Sequence, residues 1–331
     1  MQVYILKESN SDSRVAASPD TVKKMKDRGI NVVIQDNAGL NSNFSNEEYI
    51  KSGASISNEI TDISNSDLIL KVNKPNEDEI ALMNEGSVLI ASLDPYNNSE
   101  TLNKLKDKGV TSFAMELMPR ITRAQSMDIL SSQANLAGYK AVIESFANFQ
   151  KAIPMMMTAA GTVPAEKVLI VGAGVAGLQA IATAKRMGGI VFATDVRMAS
   201  KEQVESLGGK FLTVEGAENL ETEGGYAKEA SDDFKKKQED LLSETLKKID
   251  IVICTALIPG KKAPVIIKED MINNMQAGSV IYDLAAIQGG NTAFTKADEI
   301  IEKNGVKIMG ESNILNKLPA VSYTHLRAHE T

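Results

Sequence analysis

The chain has 331 residues, 43% of them hydrophobic, and this length and composition are typical of a globular protein with two domains. Its formal net charge is −7 and its lysines and arginines form no basic stripe, which argues against a nucleic acid as partner. The single cysteine, Cys254, lies in an apolar run and excludes an internal disulfide, and no segment has the length and apolarity that predict a membrane span.

The first third of the chain alternates short apolar runs with amphipathic segments. The strand-like run QVYILKE comes first, without the pattern of a signal peptide. Further strands are predicted at NVVIQD, DLILKV, SVLIAS and TSFAME, and helices at residues 19–28 and in NEEYIKSG and NSETLNKLKDKG. Because such alternation is typical of a parallel sheet covered on both faces, we predict an α/β domain over residues 1–127, to which residues 306–320 return.

A long amphipathic helix over residues 128–151 is predicted to join this domain to a second one. The segment PMMMTAAGTVP then leads into further strands at KVLIV, IVFATD, KFLT, DIVICTA and SVIYDLA. The predicted fold class is therefore α/β, with two Rossmann-like doubly wound parallel-sheet domains joined by a long helix, the second covering residues 128–305. The acidic, glycine-rich stretch at residues 214–228 is interpreted as a flexible surface loop or as a plain solvated linker.

The last eleven residues, 321–331, carry no apolar period and contain both histidines of the chain, His325 and His329. We interpret this segment as a non-native tail and exclude it from the fold. The rest of the chain then contains no histidine.

Residues 119–133, PRITRAQSMDILSSQ, form a dense polar run between the TSFAME strand and the long helix. Nothing in this run resembles a nucleophile with its base, or a set of metal ligands. A second feature of the chain, a glycine-rich turn, bears on the function of this run.

That turn is Gly172-Ala173-Gly174-Val175-Ala176-Gly177, a G-x-G-x-x-G pattern that follows the strand KVLIV and opens a helix. The first glycine permits a tight turn, the second lets the backbone approach a pyrophosphate, and the third lets the helix pack closely on the strand. The pattern predicts a dinucleotide site, and the alternative is a glycine turn without a ligand.

Asp195 lies eighteen residues after Gly177, at the end of the strand IVFATD. A carboxylate at this place accepts hydrogen bonds from both hydroxyls of the adenosine ribose and repels a 2′-phosphate, which favours NAD over NADP. Arg197 weakens this argument, because a nearby arginine suits the phosphate of NADP.

Four stretches carry a resemblance to a known family: PRITRAQSMDILSSQANLAGYKAV, MMMTAAGTVPAEKVLIVGAGVAGLQAIATAKRMGG, DVR and TALIPGKKAPVII. They resemble the NAD(H)-binding domain I of the alpha subunit of proton-translocating NAD(P) transhydrogenases, over essentially the whole chain to about residue 320. The wider superfamily includes alanine dehydrogenase, which has the same two-domain fold.

The resemblance implies that NAD(H) binds here and NADP(H) binds on a partner domain, in the beta subunit or an equivalent NADP-binding domain. It also implies direct hydride transfer of the Re/Si (Si-specific) type, coupled by a membrane domain to proton translocation. Activity then requires the partner subunit. A homodimer at the cytoplasmic face of the inner membrane, held there peripherally through its partners, is implied in the same way.

By position, the resemblance implies that Gln125 and Asp128 are catalytic, in the sense that they orient the nicotinamide, and that a mobile loop with Gly225 and Tyr226 at its tip closes over the nucleotide. The fingerprint and the resemblance together give the full set of predicted cofactor-binding residues: Arg120, Arg123, Gln125, Asp128, Ser131, Gly172, Ala173, Gly174, Val175, Gly177, Asp195, Val196, Arg197, Gly225 and Tyr226.

Hydride transfer between two nicotinamides moves no proton to or from a substrate, so the site needs no nucleophile, metal or general acid. It needs two rings held close together and correctly faced. Guanidinium, amide and carboxylate groups on one loop can fix a carboxamide and a ribose, which gives the polar run a function. The alternative is that the run only joins the domains through hydrogen bonds.

A second candidate function is that of an amino-acid dehydrogenase of the alanine dehydrogenase type, which needs a general acid or base. This chain has Asp94 near the place of that enzyme's histidine, and Ile287 where it has an aspartate. Arg14 and Lys71 align with its substrate-binding positions and keep this alternative open. A third candidate is an NAD-binding module without catalysis.

Overall fold

The computed structural model describes residues 1–9, 11–119, 121–214, 232–258 and 260–320, with the backbone alone for residues 232–235. The chain forms two compact units. The first comprises Met1–Gln133 and a second stretch that begins at Leu315, and the other comprises Ala134–Ile314.

The first unit is built on a six-stranded sheet in which all neighbouring strands are parallel. The strands are β1 (Gln2–Ile5), β2 (Asn31–Gln35), β3 (Ser55–Ser57), β4 (Leu68–Leu70), β5 (Val88–Ala91) and β6 (Thr111–Ala114). The helices are α1 (Pro19–Asp27), α2 (Asn46–Lys51), α3 (Glu77–Leu82) and α4 (Ser99–Asp107). The strand order is β3-β2-β1-β4-β5-β6, so the predicted parallel α/β fold is confirmed.

Helices of this unit begin where the sequence supplies a hydrogen-bond acceptor. Ser18 Oγ accepts a bond of 3.2 Å from the backbone N–H of Thr21 and so caps α1, as its Ser-Pro start predicts. Reciprocal capping boxes start α2, between Ser45 and Glu48, and α3.

Alternate side chains of β1 supply the two cores of the first unit. Val3 and Ile5 pack in one buried cluster with residues of α1 and α2, whereas Tyr4 and Leu6 pack in another with residues of α3 and α4. Both faces of the sheet are therefore covered, as a doubly wound fold requires.

The boundary between the two units falls inside α5 (Ile129–Asn148), the long helix that the sequence predicts between the domains. An antiparallel hairpin of β7 (Met156–Thr158) and β8 (Gly161–Val163) follows it, in the segment that the sequence predicts only as a connection.

The second unit contains a seven-stranded sheet of order β11-β10-β9-β12-β13-β15-β14, in which only β14 is antiparallel to its neighbour. The strands are β9 (Lys167–Val171), β10 (Ile190–Thr194), β11 (Lys210–Phe211), β12 (Ile251–Cys254), β13 (Val280–Asp283), β14 (Ile300–Lys303) and β15 (Val306–Gly310). The helices are α6 (Val175–Arg186), α7 (Ser200–Ser206), α8 (Asp232–Leu246) and α9 (Glu269–Asn273).

The prediction that residues 306–320 return as a whole to the first domain is wrong for the beginning of this segment. β15 pairs with β13 and β14, and Val306 and Ile308 are buried in the core of the second sheet with Val252 and Ile281. These alternating apolar side chains extend that sheet, and the chain re-enters the first unit only from Leu315.

The central strands of the second sheet, β9, β12 and β13, are buried on both faces. Cys254 is fully buried in β12, and this burial raises the pKa of its thiol well above the ordinary value. Cys254 is thus a core residue. Among the residues that the structure describes, no helix is both long and apolar enough to cross a bilayer.

Candidate functional site

Each sheet has a point where the order of its strands reverses, between β1 and β4 in the first unit and between β9 and β12 in the second. In open parallel sheets, ligands bind outside the carboxyl ends of the strands at such a point. The residues that follow β9, β10 and β12 therefore form the candidate site of the second unit.

The turn from β9 into α6 contains three glycines with different surroundings. Gly172 has a φ of +94°, in the left-handed region, and a Cβ there would lie 2.8 Å from Thr255 Oγ1. A Cβ on Gly177 would collide with the carbonyl oxygen of Gly172, so only glycine lets α6 begin this close to β9. A Cβ on Gly174 would meet nothing within 4 Å. The space beside Gly174 is open, as the approach of a pyrophosphate requires.

The amino terminus of α6 is suited to an anion. Gly174 is its N-cap residue and provides no side-chain hydrogen bond, and the first turn contains no acidic residue. The first N–H groups of a helix have no partner within the helix, and the helix dipole attracts negative charge. The half-exposed start of α6 at Val175 thus fits the pyrophosphate of a dinucleotide.

Asp195 follows β10 and reaches across to the glycine turn. Its Oδ2 accepts a hydrogen bond of 2.7 Å from the N–H of Ala173, and its Oδ1 accepts one of 2.8 Å from the N–H of Arg197. The Arg197 guanidinium also donates to this carboxylate, with Nε 2.9 Å from Oδ1 and Nη2 3.0 Å from Oδ2. A ribose that binds Asp195 has to displace or share these Arg197 contacts. Val196, between the two, is half-buried.

Two residues that sequence reasoning missed shape this turn. Thr255 follows β12, and its hydroxyl donates to the carbonyl oxygen of Gly172 at 3.0 Å, which fixes the end of β9. Gly138 lies in α5, and a Cβ there would collide with the carbonyl oxygen of Ala176 in the first turn of α6. An isolated glycine inside a helical pattern is the signal that indicates such close packing.

The corresponding place in the first unit has no glycine turn. Glu8, after β1, accepts a hydrogen bond of 2.7 Å from the N–H of Val72, and Gln35 accepts one of 2.9 Å from the N–H of Lys7. Burial raises the pKa of Glu8, although the charge of Lys71 acts in the opposite direction. These side chains surround a polar cavity of 490 Å³, in which Lys71 is itself paired with Glu79 at 2.6 Å.

The polar run of the sequence forms a 3₁₀ turn, Thr122–Met127, followed by α5. Arg123 and Gln125 are exposed on this turn. Asp128 caps α5, because its Oδ1 accepts from the N–H of Ser131 at 2.9 Å and its Oδ2 accepts from the Ser131 hydroxyl at 2.6 Å. The structure thus brings Asp128 and Ser131 into direct contact in the first unit, whereas the glycine turn, Asp195 and Arg197 meet in the second unit.

Some predicted site residues lie outside the described residues: Arg120, and Gly225 and Tyr226 of the acidic stretch. The same holds for residues 321–331 with both histidines. Over the ranges that the structure does cover, no group of three His, Cys, Asp or Glu side chains is placed to hold a metal ion.

Comparison with known proteins gives a consistent family assignment. The family described as "Alanine dehydrogenase/PNT, N-terminal domain" matches residues 4–137, and "Alanine dehydrogenase/PNT, C-terminal domain" matches residues 141–330. The chain is 50% identical to an NAD(P) transhydrogenase subunit alpha protein of Rhodospirillum rubrum, over 97% of this chain and 86% of that protein.

The crystal structure of a transhydrogenase from Sinorhizobium meliloti superposes with a TM-score of 0.89 at 46% identity, over 100% of this chain and 92% of that chain. "Alanine dehydrogenase" of Staphylococcus epidermidis is more distant, with 31% identity over 97% of this chain and 83% of that protein.

Proposed function

This chain belongs to the alanine dehydrogenase/PNT family, and we propose from that premise that it is the NAD(H)-binding component of a proton-translocating NAD(P) transhydrogenase. NADH, when bound, supplies the hydride, which passes directly to NADP⁺ on a partner domain in a Re/Si-type transfer. The chain itself binds and orients the cofactor.

The single observation that carries this proposal is the glycine turn with Asp195. The open space beside Gly174, the uncapped start of α6 and a carboxylate 2.7 Å from the N–H of Ala173 match the pyrophosphate and ribose of one dinucleotide. The carboxylate favours NAD(H) over NADP(H), because it accepts hydrogen bonds from the ribose hydroxyls and repels a 2′-phosphate, a repulsion that the paired Arg197 reduces.

The polar turn of the first unit supports an orienting role for Gln125 and Asp128. Gln125 is exposed and offers an amide to a nicotinamide carboxamide, while Asp128 is held in place as the cap of α5. Arg120, Arg123 and Ser131 complete the proposed contacts from this unit, and Gly225 and Tyr226 are proposed to cover the nucleotide. These residues position a ring and move no proton.

The charged groups of the first unit fit an amino-acid dehydrogenase less well. Arg14 forms an ion pair of 2.6 Å with Asp12, and Lys71 forms one of 2.6 Å with Glu79, so both cations are neutralised within the unit. Burial acts to raise the pKa of Asp12, but the hydrogen bonds and charge of Arg14 outweigh it and lower that pKa.

The residues at the positions of the dehydrogenase's acid–base groups also favour the transhydrogenase over the amino-acid dehydrogenase. Asp94 is exposed and accepts hydrogen bonds from the amide of Asn97, at 3.1 and 3.0 Å. Ile287 is 64% exposed and cannot transfer a proton. Nothing in the structure explains why an isoleucine occupies this position.

We further propose partners in accordance with the relatives named subunit alpha: an NADP-binding domain or beta subunit, and a membrane domain that holds this chain at the cytoplasmic face of the membrane.

The hairpin of β7 and β8 is the proposed contact between two copies of this chain. All its residues are exposed, Met157 by 75%, and an isolated two-stranded hairpin is only marginally stable in water.

The partner that best fits the exposed hairpin is a second copy of this chain. Residues 154–165 carry no charge. A two-fold interface places each patch against itself, so a charged patch would repel its copy and an uncharged one does not.

The experiment that tests the proposed function mixes this protein with the NADP-binding domain of a transhydrogenase and follows reduction of an NAD analogue by NADPH. We expect transfer only when both proteins are present. In place of the partner, alanine with the NAD analogue, or pyruvate and ammonium with NADH, should give no turnover. NADH formation from alanine by this chain alone would establish the dehydrogenase, and tight NADH binding without any transfer would indicate a binding module.

A further inference from the structure

One buried side chain, Asn291, joins the loop after β12 to the loop after β13. Its Oδ1 accepts a hydrogen bond of 3.0 Å from the N–H of Ala256, and its Nδ2 donates to the carbonyl oxygens of Ala256 and Pro264, both at 2.9 Å. Asn291 is 0% exposed. A single amide thus holds both backbone polar groups of Ala256.

The backbone of Asn291 is fixed as firmly as its side chain. Its N–H donates to Asp283 Oδ2 at 2.7 Å, and its carbonyl oxygen accepts from the N–H groups of Ile266 and Ile267 at 2.8 and 2.9 Å. All its donors and acceptors are therefore used, at short distances and out of contact with water. Such a fully satisfied buried network holds one geometry.

Ala256 borders the glycine turn. A Cβ on Gly172 would lie 3.2 Å from the backbone nitrogen of Ala256. If the adenosine half of a dinucleotide lies over the end of β10 at Asp195 and its pyrophosphate lies at the turn, the other half extends over the end of β12. With the dinucleotide in this orientation, the backbone of Ala256 would line the nicotinamide half of the site.

We propose that Asn291 is a positioning residue for hydride transfer: it fixes the Ala256 backbone that borders the nicotinamide half, without touching the ring itself. This inference rests on the proposed function. A plain structural role for Asn291, as a link between two loops, would affect folding and every ligand alike. A positioning role instead predicts that loss of the Asn291 side chain weakens the binding of NADH while the binding of its adenosine half alone is unchanged.

The test compares Asn291→Ala with the wild-type chain in three measurements. AMP, which has only the adenosine half, should bind within about twofold of wild type, whereas NADH binding should weaken about tenfold, the effect of one to two lost hydrogen bonds. The single-turnover rate of transfer to NADP on the partner domain should fall on the order of 100-fold, since small misplacements of a reacting ring have effects of this size.

The matched control is Thr295→Val. Thr295 donates to Asp283 Oδ2 at 2.6 Å, so it belongs to the same network, but the side chain that bonds to the Ala256 backbone is that of Asn291. Thr295→Val should leave the ratio of NADH to AMP affinity unchanged. If Asn291→Ala does not fold, Asn291→Ser, which keeps one hydroxyl, is the second variant. It should also weaken NADH binding more than AMP binding, but by a smaller factor.

Equal loss of AMP and NADH affinity in the Asn291 variants would overturn the proposal, as would a ratio and a transfer rate like those of wild type. If wild-type protein transfers no hydride, the proposed function fails. The affinity ratio then still decides the role of Asn291 in binding.

Discussion

At the scale of single residues, Asp195 combines two roles. Its carboxylate holds the glycine turn through Ala173 and at the same time pairs with Arg197. The sequence predicts a carboxylate at the end of this strand, because the fingerprint requires one. It does not predict the ion pair, since the conformation of the chain between Asp195 and Arg197 decides whether their side chains meet.

Asp195→Asn keeps one oxygen for the N–H of Ala173 and removes the charge. We expect both NADH and AMP to bind at least about tenfold more weakly, because a hydrogen bond to a charged group contributes ~1.5–3 kcal/mol. Titration calorimetry measures both affinities. Asp36→Asn is the matched control: Asp36 follows β2 at the equivalent place in the first sheet and accepts a bond of 2.7 Å from Asn46 Nδ2. Unchanged affinities in Asp195→Asn would remove the argument from the fingerprint.

Gln125→Asn shortens an exposed amide by one methylene. We expect the single-turnover rate of hydride transfer to fall much more than NADH affinity, because the amide orients the ring and contributes little to holding the nucleotide. Gln203→Asn, the same change on an exposed turn of α7, should alter neither quantity. Equal losses of rate and affinity in Gln125→Asn would contradict an orienting role.

Glu166 lies directly before β9, and Asp250 directly before β12, its neighbour in the sheet; Asp250 Oδ2 accepts a bond of 2.9 Å from the N–H of Lys167. Burial, a hydrogen bond with Asp250 and the charge of Asp250 raise the pKa of Glu166 from 4.5 to about 7, against the opposing charges of Lys151 and Lys167. Because this pKa is raised, the contribution of Glu166 to stability is complete below pH 4.5 and is lost as the pH rises through about 7.

The free energy of unfolding in urea should therefore decrease from pH 5 to pH 8 more in wild type than in Glu166→Gln. Glu205→Gln, at an exposed position, should keep the wild-type profile. Parallel profiles for wild type and Glu166→Gln would show that this carboxyl does not titrate in that range.

At the scale of elements, different glycines of the turn between β9 and α6 serve folding and binding. Gly174→Ala adds a methyl group to open space at an ordinary φ of −76°, so we expect unchanged or slightly higher stability, by ~0.4–1 kcal/mol. The same methyl obstructs the pyrophosphate, so NADH binding should be strongly reduced.

Gly177→Ala provides the contrast, since its methyl collides with the carbonyl oxygen of Gly172. We expect a clear drop in the unfolding midpoint together with the loss of NADH binding. Thermal unfolding and NADH titration of both variants give the comparison. Gly174→Ala that binds NADH normally would mean that no phosphate approaches this glycine.

Most elements follow from local sequence signals, and those that the sequence does not predict have identifiable reasons. Capped helices and apolar strands are recognisable because propensity and burial agree there. β14 and its turn are not among the predicted elements, although Asn304 and Gly305 have φ values of +50° and +76°, typical of the Asn-Gly hairpin turn that joins β14 to β15. The Asn-Gly dipeptide is a local signal for a hairpin. It is not used in the prediction from sequence, because residues 306–320 are assigned there to the first domain and the two strands of the hairpin are thus placed in different domains.

The candidate site divides in the same way. The glycines and Asp195 belong to a motif with fixed spacing, so the sequence predicts them. Gly138, Thr255 and Asn291 act across contacts between segments far apart in the chain. An isolated glycine in a helix, such as Gly138, indicates a close contact, but no pattern along one segment specifies the partner, so the folded structure is needed to identify it.

At the scale of the whole molecule, the first five strands of each sheet have the same order, which is that of a nucleotide-binding fold, but the glycine turn occurs only in the second sheet. The equivalent place in the first unit is a polar cavity, in which Lys71 pairs with Glu79 and Glu8 accepts from the N–H of Val72. We therefore expect the second unit, and not the first, to bind the nucleotide.

The exposed hairpin predicts the assembly of two copies. Met157→Asp places a charge on each copy, and the two charges would oppose each other across a two-fold interface. In analytical ultracentrifugation at one protein concentration, we expect wild type to be a dimer and the variant to be a monomer. Leu40→Asp, at an exposed site of the first unit, should remain a dimer. A dimer of unchanged stability in Met157→Asp would place the interface elsewhere.

A crystal structure of the chain with bound NADH is the most direct test of the central claim that the second unit holds the nucleotide and the polar turn fixes its ring. We predict the pyrophosphate at the start of α6, the adenosine ribose on Asp195 and the nicotinamide carboxamide within hydrogen-bonding distance of Gln125. NADH bound in the first unit's cavity beside Lys71, or a nicotinamide far from Gln125, would contradict the account.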